Sequence, residues 1–231
     1  QKPFAPINHI KSHILSSTFN NQITFPHLTL LLTGGHTQIY MLDVKKNITL
    51  LGDSVDDALG ETFDKIAKIL KLKYPGGPEI ESYAIHGNER SFNLPIPILK
   101  DNTLNMSFSG IKTAINLLVK KNVLSDDFVA NMSASFQFCI TKILLDKVSK
   151  VIKKLKKDSI DISSISIVGG VANNKYILNK FTDFAKNENL KIFIPLKDMM
   201  SDNAAMIAWA CMNQEIIKDD LLFKPNPRLT I

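Results

Sequence analysis

An apolar strand that runs straight into a pair of glycines sets the first limit on this chain. Residues 29–32 are strand formers and leucines, the run stops at Gly34-Gly35, and residues 36–42 resume with polar and apolar side chains partly alternating. That pattern predicts two strands joined by a tight turn. Glycines lack a Cβ, so a bulky ligand can reach their backbone and their N–H groups can point at it. Thr33, His36 and Thr37 surround this bare backbone. A hairpin that binds nothing would read the same, so the stretch alone leaves both readings open. The arrangement recurs at residues 164–168, a second β-rich run, which ends at Gly169-Gly170 and passes through Asn173-Asn174 into a helix. A helix N-terminus behind a glycine turn favours anions and nucleotides.

With 231 residues, 45% of them hydrophobic, the chain is long enough for one large or two small domains. Its net charge of +6 comes almost wholly from lysine, since Arg90 and Arg228 are the arginines, and gives mild support for a nucleic-acid partner. Cys139 and Cys211 fall in apolar helical contexts, which suggests a reducing compartment and hence the cytoplasm. No signal peptide is apparent, and no apolar run is expected to be long enough to span a bilayer. The chain begins at Gln1 rather than Met, so processing, trimming or a preceding segment is expected.

His9 and His13 stand at i and i+4, a spacing that lets both rings reach one divalent metal from a single helix face. They need a third ligand from elsewhere, and Ile10 stands where a zinc protease would need Glu. Two exposed histidines fit the spacing equally well. Residues 58–70 carry an apolar helical stripe with Asp56 and Asp57 as expected first-turn acids. Asp64 within it either faces a cleft or pairs with Lys68. Residues 74–78 (YPGGP) should end that helix and expose backbone, and residues 93–104 read as a loop. Residues 106–113 alternate apolar and hydroxyl side chains before an apolar helix. Ser125 should cap a long amphipathic helix reaching about Lys156, with its lysine-rich end solvated. Residues 191–195 read as one more strand. Asp202 either caps a helix over residues 204–217 or supplies the carboxylate that the histidine pair lacks.

Five motifs occur in a telling order: LLTGGHTQ, DDALGETFDKIAKIL with YPGGP, SFSGIKTA, VGGVANN and SDNAAMIAWA. Together they resemble the tRNA threonylcarbamoyladenosine transferases (the TsaD/Kae/Gcp family, formerly labelled O-sialoglycoprotein endopeptidase) over nearly the whole chain. The resemblance implies an α/β, actin/Hsp70-like (ASKHA) ATPase fold with a ribonuclease-H-like lobe, a mixed sheet flanked by helices. It implies transfer of threonylcarbamoyl from threonylcarbamoyl-AMP to the exocyclic amine of the adenosine 3′ of the anticodon, in tRNAs reading codons that start with A. Matched residue by residue, His9, His13 and Asp202 would hold one divalent metal, Fe²⁺ ahead of Zn²⁺. Leu31, Leu32, Thr33, Gly34 and Gly35 would form the phosphate-side loop for the adenylate or for ATP or AMP. Asp64, Gly77 and Asn174 would complete the nucleotide contacts, with Glu81 standing where many members have Asp. No side chain matches a nucleophile, so direct transfer is expected. The implied partners are tRNA and the other subunits of the transfer complex, TsaB- and TsaE-like in bacteria, with no membrane.

Two departures stand out. The family's H-x-E-G-H is here His9-Ile10-Lys11-Ser12-His13, which removes a carboxylate that would support a metal-ligating histidine. The family's Ser-Ala-Asn is here Ala172-Asn173-Asn174. The match also covers about the C-terminal two-thirds of a family member: residues 1–26 as the end of an N-terminal lobe, 27–200 as a second lobe with the nucleotide turns, and 201–231 as a metal-ligand turn and helix packing back. Without the first lobe, helix 204–217 is expected to leave Trp209 exposed. The alternatives are another actin-like ATPase or sugar kinase, a non-catalytic remnant that binds nucleotide or partners, and, last, a metalloprotease.

Overall fold

A computed structural model describes residues 5–97 and 103–213. Its centre is a five-stranded mixed sheet in the order β3-β2-β1-β4-β5. Strand β1 (His27–Leu32) turns at Gly34-Gly35 into antiparallel β2 (Thr37–Leu42), with Leu32 opposite Thr37, and β2 pairs antiparallel with β3 (Ile48–Asp53). Strand β4 (Ser164–Val168) runs parallel to β1, and β5 (Lys191–Phe193) parallel to β4. Because β1 and β4 point the same way, both glycine turns emerge side by side at one end of the sheet. The ladder bears out the mixed sheet flanked by helices that the family resemblance implies.

Both faces of β1 are buried, which explains its nearly unbroken apolar run. Leu28, Leu30 and Leu32 join one core with α2 (Leu59–Ile69), α4 (Ser109–Lys121), α5 (Asp126–Lys157) and α6 (Lys175–Asn187). Leu31 points the other way, into a smaller core with Ile10 and Ile14 of α1 (His9–Ser16) and Ala210 of α7 (Ala204–Met212). Each fully buried leucine stabilises the fold by roughly 1.5–3 kcal/mol. Helices α1 and α7 pack on one another, so the described ends of the chain meet on this face. Beside Leu31 the face is polar. His27 bonds through its two ring nitrogens to Ser164 Oγ (2.7 Å) and Ser166 Oγ (2.9 Å), and Thr29 Oγ1 meets Ser166 Oγ at 3.0 Å.

Several local expectations change. Asp56 and Asp57 lie ahead of α2, whose cap position is Ala58. The Asp56 carboxylate instead accepts from Ser107 Oγ and from the Phe108 amide (2.8 Å), and so caps α4. Asp57 takes the ammonium groups of Lys65 (2.6 Å) and Lys112 (3.3 Å). The YPGGP stretch ends one helix and begins another, α3 (Gly76–Ala84). Gly76 is pressed so close to α2 that a Cβ there would stand 2.6 Å from Ala67 Cβ and 2.8 Å from the Phe63 carbonyl oxygen. Only glycine fits that crossing.

Helix α5 starts where expected, with Ser125 Oγ accepting from the Phe128 amide at 3.2 Å. By length and composition it could cross a membrane, contrary to the sequence expectation, but 78% of its most apolar window is buried inside the fold. It is a core helix. Trp209 is not stranded at the surface: its indole N–H donates to Thr18 Oγ1 (2.8 Å) and its ring meets Phe19 edge-on at 5.1 Å. Residues 214–217 of the helix expected over 204–217 lie outside the described residues.

Candidate active site

The close approach of the two glycine turns shapes the site. Gly169, at φ +97°, is held against β1, where a Cβ would come within 2.4 Å of the Leu32 carbonyl oxygen. Gly60 in the first turn of α2 also sits close on Thr33 and Gly34, where a Cβ would come within 2.8 Å of both, and its N–H donates to the Thr33 carbonyl at 3.2 Å. Between these turns and the start of α3 opens a cleft of about 400 Å³. Gly34, Asp64, Gly77, Glu81 and Asn174 line it, so five of the residues matched to nucleotide binding converge there.

The remaining four do not line it. Leu31 and Leu32 are fully buried in opposite cores. Thr33 holds the turn itself: its N–H donates to the His36 carbonyl (2.9 Å), and its Oγ1 accepts from the amides of His36 (2.9 Å) and Gly35 (3.3 Å). The turn thus uses most of the N–H groups expected to be free for a ligand. Among the described residues, the Gly34 N–H alone in this turn is without such a partner, and nothing would crowd a Cβ at that position.

The lining side chains also have work inside the fold. Asp64 Oδ1 accepts from the Gly76 amide at 2.8 Å and so anchors the start of α3; no bond to Lys68 forms. Glu81 Oε1 accepts from the Lys175 amide at 2.7 Å, and Asn174 caps the same helix, α6, by accepting from the Ile177 amide. The Asn174 amide nitrogen donates to Gln137 Oε1 at 2.6 Å. Asn174 therefore spends both ends of its side chain on the protein. Gly60, Val171 and Ser201 also line the cleft and escaped sequence reasoning. Gly60 carried a signal, as a glycine inside a helical stripe.

Next to Ser201 lies the second part of the site. Asn203, not Asp202, caps α7, accepting from the Met206 amide at 2.8 Å. That leaves the Asp202 carboxylate free to reach α1, where Oδ1 stands 2.9 Å from His13 Nε2 and 3.3 Å from His9 Nε2. One ligand atom from each of the three residues lies within 4.8 Å of the others. His13 is fully buried, and burial together with the neighbouring His9 holds its imidazole below the usual pKa despite the Asp202 bond. A neutral ring is what metal ligation requires. Its Nδ1 is buried without a hydrogen-bond partner among the described residues. In metal sites that nitrogen ordinarily donates to a supporting group. Two imidazoles and one carboxylate suit zinc or ferrous iron better than magnesium.

The model of the family "TsaD: tRNA N6-adenosine threonylcarbamoyltransferase" matches residues 1–209. The chain belongs to this family. A tRNA N6-adenosine threonylcarbamoyltransferase of Wolbachia pipientis wMel is 44% identical over 99% of the chain, and one of Thermosipho africanus is 42% identical over 90%. The chain spans 68% and 62% of those two relatives. Among solved structures, full-length HypF in a phosphate- and nucleotide-bound form matches 87% of the chain and 41% of its own at TM-score 0.68 and 14% identity. HypF of T. kodakarensis matches at TM-score 0.62 and 13% identity. These two likenesses show a shared ASKHA-like fold. Threonylcarbamoyltransferases are tRNA-modifying transferases that use a divalent metal and nucleotide-like substrates, and the His9, His13 and Asp202 cluster is one that could hold a metal ion.

Proposed function

We propose that the cleft holds threonylcarbamoyl-AMP and that His9, His13 and Asp202 hold one ferrous or zinc ion at its mouth, for transfer of the threonylcarbamoyl group to the N6 amine of a tRNA adenosine. The observation that carries this reading is the meeting of Asp202 with the histidine pair, one residue from Ser201 on the cleft wall. In this reading the phosphate lies against the bare backbone at Gly34 and Gly170. Asp64 offers the ribose hydroxyls the oxygen that Gly76 leaves free. Glu81 and Asn174 hold the start of α6 in place behind the base. An ion held by His9, His13 and Asp202 would supply Lewis-acid chemistry to the acyl group. The residues of the chain orient the adenylate so that the amine meets the open face of its carbonyl carbon. The amine nitrogen forms the new C–N bond at the carbonyl carbon, AMP departs with the electrons of the broken C–O bond, and the proton released by the amine passes to solvent. TsaB- and TsaE-like subunits in the cytoplasm are its proposed partners. An actin-like kinase is less well supported, because such sites use carboxylates and Mg²⁺ rather than two imidazoles.

The test is transfer of labelled threonylcarbamoyl to a tRNA that reads an A-starting codon, with bacterial partner subunits added. Label in the tRNA, lost with His13→Ala, supports the reading. No label above a no-enzyme control, from a chain that binds metal and AMP, makes it a binding remnant instead.

A further inference from the structure

We propose that a lysine-lined hollow beside the cleft seats the phosphate backbone of the substrate RNA, with Tyr74 as a stacking platform; this deepens the transferase reading and rests on it. The hollow, of about 400 Å³, is lined by Lys65, Lys68, Lys71, Lys73 and Tyr74, and by two carboxylates already engaged, Glu61 by Lys65 and Asp64 by the Gly76 amide. It lies directly against the cleft. Asp64 lines both, and Gly76 of the hollow adjoins Gly77 of the cleft. An RNA held here would lie within reach of the adenylate without any rearrangement of α2.

The charges are available. Lys65 is taken by Asp57 and Glu61, but Lys68, Lys71 and Lys73 are exposed and form no ion pair among the described residues. Part of this charge complements the C-terminal dipole of α2. Lys73 and Tyr74 lie beyond that helix, however, and Tyr74 is 84% exposed. Lysines beside an exposed aromatic ring are the combination that binds nucleic acid: charge follows the backbone and the ring accepts a base. The other lysine group is on the wrong side. Lys153, Lys154, Lys156 and Lys157 are exposed at the end of α5, which leads into the start of β4. The cleft is at the opposite end of the sheet, where β1 and β4 finish.

The experiment measures binding of a transcribed tRNA reading an A-starting codon by fluorescence anisotropy across a KCl titration, with AMP affinity measured alongside. Each phosphate contact contributes about 0.7–0.9 to the slope of log K against log salt. Replacing Lys68, Lys71 and Lys73 with alanine should lower the slope by about two and weaken binding tenfold or more at low salt. Tyr74→Ala should weaken binding about fivefold or more with the slope unchanged. AMP affinity should stay the same in both. The control triple change Lys153→Ala, Lys154→Ala and Lys157→Ala should bind tRNA as the unaltered chain does. An unchanged slope in the first triple variant, or an equal loss in the control, overturns the inference. If the unaltered chain binds AMP but no tRNA, the hollow is not an RNA site and the cleft reading stands. If it does not bind AMP, the cleft reading falls and this inference with it.

Discussion

Asp202 Oδ1 stands 2.9 Å from Nε2 of His13, a residue 189 positions earlier in the chain. Two local choices make that contact available. Asn203 takes over the capping of α7, which frees its neighbour, and α7 packs directly on α1. Substituting Asn203 should therefore act at a distance. Asn203→Ala removes a helix cap, costing about 1 kcal/mol. It also makes Asp202 the next residue able to cap. Metal affinity should fall by more than the loss in stability explains, as measured by competition with a chromophoric chelator alongside urea unfolding. Asn203→Ser should restore both.

Gly169 is the tightest point of the glycine turns. Its backbone is in a region that only glycine adopts readily, and the Leu32 carbonyl oxygen blocks a Cβ. Gly169→Ala should cost about 3 kcal/mol or more, read as a drop in the urea midpoint with an unchanged slope. Gly170→Ala, with open space around it, should cost less than about 1 kcal/mol and report instead on AMP affinity.

Asp56 joins two distant motifs by capping α4 from ahead of α2. Burial pushes its carboxyl up, but bonds from Ser107, Phe108 and Ser109 outweigh burial and hold it below the usual value. Asp56→Ala should destabilise the fold by about 1–2 kcal/mol, with faster amide exchange at the first turn of α4. Asp56→Asn should recover most of the loss.

His27 predicts a pH dependence. Burial pushes its imidazole down to about 4, outweighing the hydrogen bond with Ser164 that works the other way. The unfolded chain therefore binds a proton on this residue between about pH 6.5 and 4 that the folded chain refuses, so stability falls as pH falls through that window. The full loss is about 3 kcal/mol by pH 4, and above pH 6.5 His27 contributes no slope. His27→Gln should flatten urea stability measured between pH 7 and 4. An unchanged profile would place the acid sensitivity elsewhere.

What could be read from the sequence followed the range of the interaction. The strand–glycine turns, the His9–His13 spacing and the Ser125 cap are local, and residue type alone announces them. The role of Asp56 depends on a helix whose cap lies 52 residues away, whereas its own neighbourhood in the sequence points only to α2. Helix α3 was missed because Pro75, Gly76 and Gly77 signal a break; the break is real, and glycine is there to let α3 cross α2 closely. Thr33 was legible as a loop residue but not as the group that consumes the turn's own amides. The His27 ladder was invisible, since no local pattern says which polar strand residues will face each other in a core.

The central claim is that one ion joins the two ends of the chain, and metal content tests it most directly. Purified chain, loaded anaerobically with Fe²⁺ or Zn²⁺, desalted and analysed by inductively coupled plasma mass spectrometry, should hold about one equivalent. His9→Ala, His13→Ala and Asp202→Ala should each bring it close to zero while leaving AMP binding in place. One equivalent retained in Asp202→Ala, or none in the unaltered chain, would contradict the account.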